Sequence, residues 1–113
     1  MEKDYLSWPE FEKVEMRTGT ILEVRAFPEA RKPAYKLKID FGPLGTRMSS
    51  AQITDRYTPS ELIGKQIVAV INFPPKQIGP FMSECLVLGA VPDDGRISLL
   101  HPGHPLPNGL RIS

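Results

Sequence analysis

The sequence contains few of the residues from which catalytic and metal sites are usually built. It has one cysteine, Cys85, and two histidines, His101 and His104, in 113 residues. A single cysteine excludes an intrachain disulfide, and its apolar neighbours indicate a buried small hydrophobic residue and not a nucleophile. Both histidines lie in a proline-rich tail with no cysteine or carboxylate beside them. Neither a hydrolytic triad nor a metal site is therefore predicted.

Two other signals are missing from the chain. Neither G-x-G-x-x-G nor G-x-x-x-x-G-K-[ST] occurs, so no glycine-rich loop that cradles phosphates is expected. No apolar run approaches the roughly 20 residues that span a bilayer, and the first residues are too acidic and polar for a signal peptide. Together with the single cysteine, these features predict a cytoplasmic, non-catalytic protein without a cofactor.

Proline and glycine, in contrast, are abundant. The twelve prolines and nine glycines fall between short apolar runs and do not form one low-complexity tract. This distribution is typical of a β-protein with many turns. The length fits a single domain over residues 1–113.

Local patterns predict the elements of this domain. Capping boxes at Ser7–Glu10 and Thr58–Glu61 predict two short helices, the first running to about Lys13 and the second ending at Gly64. Val14, Met16, Leu22 and Val24 share one parity in a long first strand, where Gly19 is a plausible bulge or bend. The other predicted strands cover residues 35–41, 46–53, 66–73, 84–91 and 96–100.

Five or six strands, with a short helix between the third and the fourth, match an all-β fold of known architecture. It is the five-stranded Greek-key OB-fold barrel, with short helices near the N-terminus and between strands 3 and 4. The strand pattern alone fits other small β-barrels nearly as well. The tail after residue 100 is too rich in proline for a central strand, and its Leu106, Leu110 and Ile112 predict anchoring on this subunit or on a partner.

Charge is distributed unevenly along a chain whose formal net charge is only +1. Residues 1–15 carry a balance of −3, whereas residues 17–47 carry seven basic and three acidic side chains, a balance of +4. A locally basic surface attracts polyanions or acidic segments. A solvated face with scattered lysines is the simpler alternative.

Several polar residues stand where apolar ones would be expected. Ser49 and Ser50 lie in the middle of the third strand, Asn72 ends an apolar run, and Ser83 opens another strand. Each of them alone is explained by hydrogen bonds to backbone groups at barrel edges. As a group they favour convergence on one barrel face, because OB-folds bind ligands around their middle strands and adjoining loops.

These stretches resemble the CsaA family, a branch of the tRNA-binding domains that are also found appended to methionyl-tRNA synthetases. The matching runs include Ser49-Ser50-Ala51-Gln52-Ile53-Thr54 and Asn72-Phe73-Pro74-Pro75-Lys76-Gln77-Ile78. The resemblance implies an OB-fold whose N- and C-terminal extensions build a homodimer. It also implies tRNA binding in the wider family, and, for CsaA-like members, a chaperone role in protein export with unfolded precursor proteins and the export ATPase SecA as partners.

The wider family's pattern Asn-x-x-x-Lys-x-x-Gly-x-x-x-Ser falls on Asn72, Lys76, Gly79 and Ser83. The sequence departs from that family after the serine, where Cys85 and Leu86 replace a small residue and a methionine, and this weakens the transfer of tRNA binding. The resulting hypothesis is a groove for unfolded polypeptide, with tRNA as the alternative ligand and a scaffolding dimer without ligand as the third possibility. Its predicted lining is Arg17, Lys36, Lys38, Arg47, Ser49, Ser50, Asn72, Lys76, Gln77 and Ser83.

Overall fold

Residues 4–113 are described by the computed structural model, and they form two α-helices, one 3-10 turn and nine strands. Residues 1–3, the start of the N-terminal extension, lie outside the described part. In chain order the elements are α1 (Trp8–Glu12), β1 (Met16–Ala26), β2 (Tyr35–Asp40), the 3-10 turn (Gly42–Leu44), β3 (Thr46–Ala51), α2 (Pro59–Leu62), β4 (Gln66–Val70), β5 (Lys76–Ile78), β6 (Phe81–Ser83), β7 (Leu86–Val87), β8 (Gly89–Ala90) and β9 (Ser98–Leu99).

Five strands form one antiparallel sheet in the order β3-β2-β1-β4-β7. The sheet curls into a nearly closed barrel because contacts at residues 84 and 85 join its two ends. The backbone N–H of Glu84 donates to the carbonyl of Met48 at 2.7 Å, and the Ser49 hydroxyl donates to the carbonyl of Cys85 at 2.8 Å. With α2 between β3 and β4, the architecture is consistent with the OB-fold and confirms the predicted fold class.

The long first strand bends at a different residue from the one predicted. Its pairing with β2 shifts register between Ile21 and Glu23, which places the bulge at Leu22 and not at Gly19. Because a bulge reverses the face to which alternate residues point, the single parity predicted for Val14, Met16, Leu22 and Val24 was wrong: Val14 precedes the strand, and beyond the bulge Val24 packs against the core whereas Leu22 is 40% exposed. Gly19 has another role, since a Cβ there would lie 2.7 Å from the Phe41 ring.

The core forms from alternate residues of the central strands. The fully buried apolar side chains are Ile21, Leu37, Ile39, Phe41, Leu62, Ile67 and Ala69. Leu62 comes from α2, which therefore closes one end of the barrel. This arrangement follows from the period of two in β-strands, which gives β2 a buried apolar face and an outer face with lysines.

Both predicted capping boxes are present. In α1 the N–H of Glu10 donates to the Ser7 hydroxyl at 3.2 Å, and the N–H of Ser7 donates to the Glu10 carboxylate at 2.9 Å. In α2 the Thr58 N–H donates to the Glu61 carboxylate at 2.8 Å. These hydrogen bonds favour the charged form of each acid, so they lower the pKa of Glu10 and of Glu61.

The C-terminal tail is anchored on the same chain, along the part of β1 that β2 leaves unpaired. The N–H of Thr18 donates to the Leu110 carbonyl at 3.0 Å, and the N–H of Ile112 donates to the Met16 carbonyl at 2.9 Å. The Thr18 hydroxyl also donates to the Pro107 carbonyl at 2.9 Å. The tail therefore protects an exposed strand edge.

The sequence did not predict the hairpin of β5 and β6. The strands expected over 66–73 and 84–91 are shorter in the structure, and the chain between them folds back on itself with Gly79 at φ +58° in the turn. Three-residue strands carry too short an alternation to be recognised, and the contacts that hold this hairpin come from distant parts of the chain.

Candidate functional site

A groove of about 360 Å³ lies beside Ser50 and Gln52, at the end of β3. One wall is the loop over residues 27–34, and the other is the β5–β6 hairpin. These are the strands and loops with which OB-folds bind their ligands. The groove is lined by Ala30, Arg31, Lys32, Ala34, Ser50, Gln52, Lys76, Gln77 and Ile78.

A hydrogen bond between two serines, one in the barrel and one in the hairpin, holds the hairpin against the barrel. The backbone N–H of Ser50 in β3 donates to the hydroxyl of Ser83 in β6 at 3.2 Å. Ser83 lies opposite Lys76 in the hairpin, so this hydrogen bond also places Lys76 beside the groove. Gln77 donates to the carbonyl of Gly79 at 3.2 Å, across the hairpin turn.

A second pocket, of about 300 Å³, lies on the other side of Lys76. Its apolar surface comes mainly from Phe73, Pro74 and Leu86, and Ser83 and Cys85 complete the lining. Phe73 is 55% exposed and Leu86 is 48% exposed. Lys76 lines both hollows, so an ammonium group stands between a basic groove and an apolar pocket.

Three basic side chains that line the groove have no partner within the described chain. In the described chain, Arg31, Lys32 and Lys76 form no ion pair and no side-chain hydrogen bond, and all three are exposed. Two carboxylates lie nearby, Glu29 beside Gly79 at the hairpin turn and Glu84, which accepts a hydrogen bond from the Met48 N–H. The groove therefore presents a positive surface to a ligand.

Three predicted basic residues are engaged elsewhere. Arg17 pairs with Glu15 at 3.0 Å and donates to the carbonyl of Gly109 at 3.0 Å, so it ties the tail to β1. Arg47 donates to the carbonyl of Ile71 at 3.0 Å, across one end of the barrel. Lys38 lies 3.7 Å from Glu23 in an ion pair on the outer face of the sheet.

Two predicted polar residues also have internal partners. Ser49 is fully buried and bonded to the Cys85 carbonyl, so Ser50 is the member of that pair that faces the groove. Asn72 accepts a hydrogen bond from the N–H of Glu15 at 3.0 Å and donates to the carbonyl of Lys13 at 2.6 Å. Its side chain thus fastens the segment between α1 and β1.

Of the ten residues predicted for the groove, Ser50, Lys76 and Gln77 line it, and Ser83 lines the neighbouring pocket. The Lys36 ammonium stands over two aromatic rings, at 4.8 Å from the Phe27 centroid and 5.5 Å from that of Phe81. Arg31, Lys32 and Gln52 were missed as groove residues. The adjacent bases in the loop between strands 1 and 2 were a usable signal, because that loop borders the ligand face in OB-folds.

The surroundings of Cys85 suit packing and not nucleophilic chemistry. The residue is 7% exposed, and burial raises the pKa of its thiol to about 11, although Ser49 and Arg47 partly offset that rise.

Within residues 4–113 no three side chains of His, Cys, Asp or Glu are grouped to hold a metal ion. In the same residues, no helix has the length and apolar character needed to cross a membrane.

Comparison with known proteins agrees with this architecture. Two solved structures align with 96% of the chain at 53% identity: the chaperone CsaA of Bacillus anthracis, with a TM-score of 0.92 over 99% of that protein, and the CsaA chaperone of Picrophilus torridus, with 0.90 over 100%. The methionine–tRNA ligase of Bacteroides fragilis is 34% identical over 107 residues, which are 95% of this chain but only 16% of the ligase.

The family model of the tRNA binding domain matches residues 16–111, from the start of β1 to the tail that pairs with it. The matched residues include both walls and the floor of the groove. The chain therefore belongs to the tRNA binding domain family, and within it to the CsaA family.

Proposed function

We propose that this protein is a non-catalytic binding module whose groove captures unfolded precursor polypeptides. The observation that carries the proposal is the position of Lys76 between the basic groove and the apolar pocket of Phe73, Pro74 and Leu86. An unfolded polypeptide offers apolar side chains and polar backbone groups together, and a surface of mixed character with exposed loops suits such varied ligands.

The two structural neighbours at 53% identity are both described as chaperones, which supports this reading. The proposal places the protein in the cytoplasm, on the path by which precursors reach the export machinery. SecA is its proposed partner there, through the resemblance to the CsaA family.

Binding of tRNA at the same face is the second candidate, and the family match over residues 16–111 favours it. Arg31, Lys32 and Lys76 would contact phosphates. RNA recognition also uses base stacking on aromatic side chains. Among the described residues, no aromatic side chain lines this groove: Phe27 is buried and packed against Phe81, which leaves Phe73 in the neighbouring pocket as an exposed aromatic ring.

The two candidates are separated by fluorescence anisotropy with two labelled probes, reduced and carboxymethylated α-lactalbumin as a permanently unfolded polypeptide and bulk bacterial tRNA. Each titration is made at about 50 mM and about 200 mM salt, because affinity that depends on phosphate contacts falls steeply over this interval. We expect tight polypeptide binding at both concentrations and weak tRNA binding that is lost at the higher one. RNA binding that survives the higher salt and displaces the polypeptide would instead establish a tRNA-binding protein.

The groove assignment is tested with Lys76→Met, which keeps an apolar stem and removes the charge. We expect the affinity for the bound probe to fall by about tenfold, the size of one charge-assisted contact. Lys65→Met is the matched control, since Lys65 borders a separate hollow beside His101 and Gly103. Equal affinities of the two variants and the wild type would place the binding site elsewhere.

The extensions at both ends are proposed to form a homodimer interface. Tyr5, Leu6 and Trp8 are 80%, 68% and 79% exposed, and Arg111 of the tail donates to the Glu12 carbonyl at 2.7 Å. The end of the tail thus lies beside an apolar surface that has no cover within the described chain. Sedimentation at micromolar concentration should show a dimer for the wild type and a monomer for Trp8→Glu, whereas a monomeric wild type would refute the interface.

A further inference from the structure

Lys36 joins three parts of the groove in one contact. It lies on β2, beside Ser50 of the groove floor, and its ammonium stands 4.8 Å from the ring centroid of Phe27 and 5.5 Å from that of Phe81. Phe27 opens the loop that forms one wall, and Phe81 opens the β6 strand of the other wall. The two rings also contact each other edge to face, with centroids 5.3 Å apart.

The surroundings of Lys36 favour this internal contact over a ligand contact. Phe27 is 4% exposed, and Lys36 and Phe81 are half-buried, so the ammonium faces ring surfaces that are partly shielded from water. A cation over an aromatic face gains most when it is desolvated in this way. The neighbouring Lys38 lies on the same face of β2 but is paired with Glu23 at 3.7 Å.

We propose that Lys36 is a positioning residue that holds the loop and the hairpin at a fixed separation over β2 and β3, so that Arg31, Lys32 and Lys76 converge on one ligand. This inference rests on the proposed binding function of the groove. It assigns Lys36 a role through the two phenylalanines and not through contact with the ligand. The hydrogen bonds that join β3 to the hairpin, at Ser83 and at the adjacent Glu84, lie at the C-terminal end of β6, so a contact at Phe81, at the other end of this strand, matters for the position of the hairpin.

The first test needs no ligand. Hydrogen exchange of the hairpin amides, residues 76–83, is measured in the wild type, Lys36→Met, Lys36→Arg and Phe81→Leu. Loss of the contact should speed this exchange by about three- to tenfold in Lys36→Met and Phe81→Leu, while Lys36→Arg stays within about twofold of the wild type. Lys38→Met is the matched control and should leave hairpin exchange unchanged.

The second test measures the affinity for the carboxymethylated α-lactalbumin and tRNA probes. Lys36→Met and Phe81→Leu should weaken binding by similar factors, and the double variant should lose no more than the weaker-binding single variant, because both changes remove one contact. Lys36→Arg should restore affinity, since a guanidinium also stacks on aromatic rings.

Two results would overturn the inference. One is hairpin exchange in Lys36→Met equal to that of the wild type. The other is a loss of affinity in Lys36→Met while Phe81→Leu binds normally, because Lys36 would then contact the ligand directly. If the wild type binds neither probe, the proposed function fails; faster hairpin exchange in Lys36→Met would still support the positioning of the two walls.

Discussion

Ser50 and Ser83 are 33 residues apart in the chain, and the hydrogen bond of 3.2 Å between the Ser50 N–H and the Ser83 hydroxyl joins the floor of the groove to one of its walls. Ser83 is also the last residue of the family pattern that begins at Asn72. In this structure it contributes by holding the hairpin, so its effect on ligand binding passes through the position of Lys76.

Replacing Ser83 with alanine should therefore weaken both stability and binding. The Ser50 N–H is partly buried and loses its partner, which costs about 1 kcal/mol of unfolding free energy. Denaturant unfolding measures this loss, and anisotropy with the polypeptide probe measures the accompanying fall in affinity. Ser98→Ala, at an exposed position in β9, is the matched control. Normal affinity and stability in Ser83→Ala would show that the hydrogen bond does not hold the hairpin.

Asn72 is expected to act on the N-terminal segment. Asn72→Ala removes both bonds to residues 13 and 15 and should lower the unfolding free energy by about 1 kcal/mol, with faster exchange at the Glu15 amide. Asn72→Asp keeps the acceptor for Glu15 and loses only the bond to Lys13, so it should lie between alanine and the wild type. A variant that loses ligand affinity with unchanged exchange would instead place Asn72 in contact with the ligand.

Cys85 should resist alkylation in the folded protein. Because burial raises the pKa of its thiol to about 11, only about one thousandth of it is thiolate at pH 8, and the side chain is also shielded. Mass spectrometry after treatment with iodoacetamide should find the native protein unmodified and the guanidinium-unfolded protein fully modified. Rapid labelling of the native protein would show that the barrel opens between β3 and β7.

The capping box of α2 should make stability depend on acid pH. The pKa of Glu61 is lowered in the folded state by its hydrogen bonds to Thr58. The Glu61 carboxylate therefore stabilises the fold fully above its unfolded-state pKa, and this stabilisation is lost as the pH falls through its folded-state pKa. The thermal midpoint of Glu61→Gln, which cannot titrate, should lie below that of the wild type at pH 7. This difference should shrink below about pH 4.5. A constant difference down to pH 3 would exclude the titration of Glu61 as its cause.

Local patterns determined the features that depend on neighbouring residues. The capping boxes at Ser7 and Thr58, the alternation of β2 and the turn-rich composition were sufficient for a small β-barrel, because caps and strand parity are set within a few residues, but the choice of the OB-fold among such barrels came from the family resemblance. The runs Ser49–Thr54 and Asn72–Ile78 were sufficient for the family. The position of Cys85 in an apolar run was likewise sufficient to predict a buried side chain and not a nucleophile.

The tertiary structure decided which polar residues face a ligand. Ser49 and Ser50 are neighbours of the same residue type, yet only the barrel's closure against Cys85 makes one an internal donor and the other a groove residue. Arg17 and Arg47 donate to carbonyls or an acid, and Asn72 bonds to the backbone of residues 13 and 15. Most of these partners come from distant segments, which no local pattern encodes. Arg31, Lys32 and Lys76 converge because the loop and the hairpin fold over the same two strands, and long-range packing alone brings those segments together.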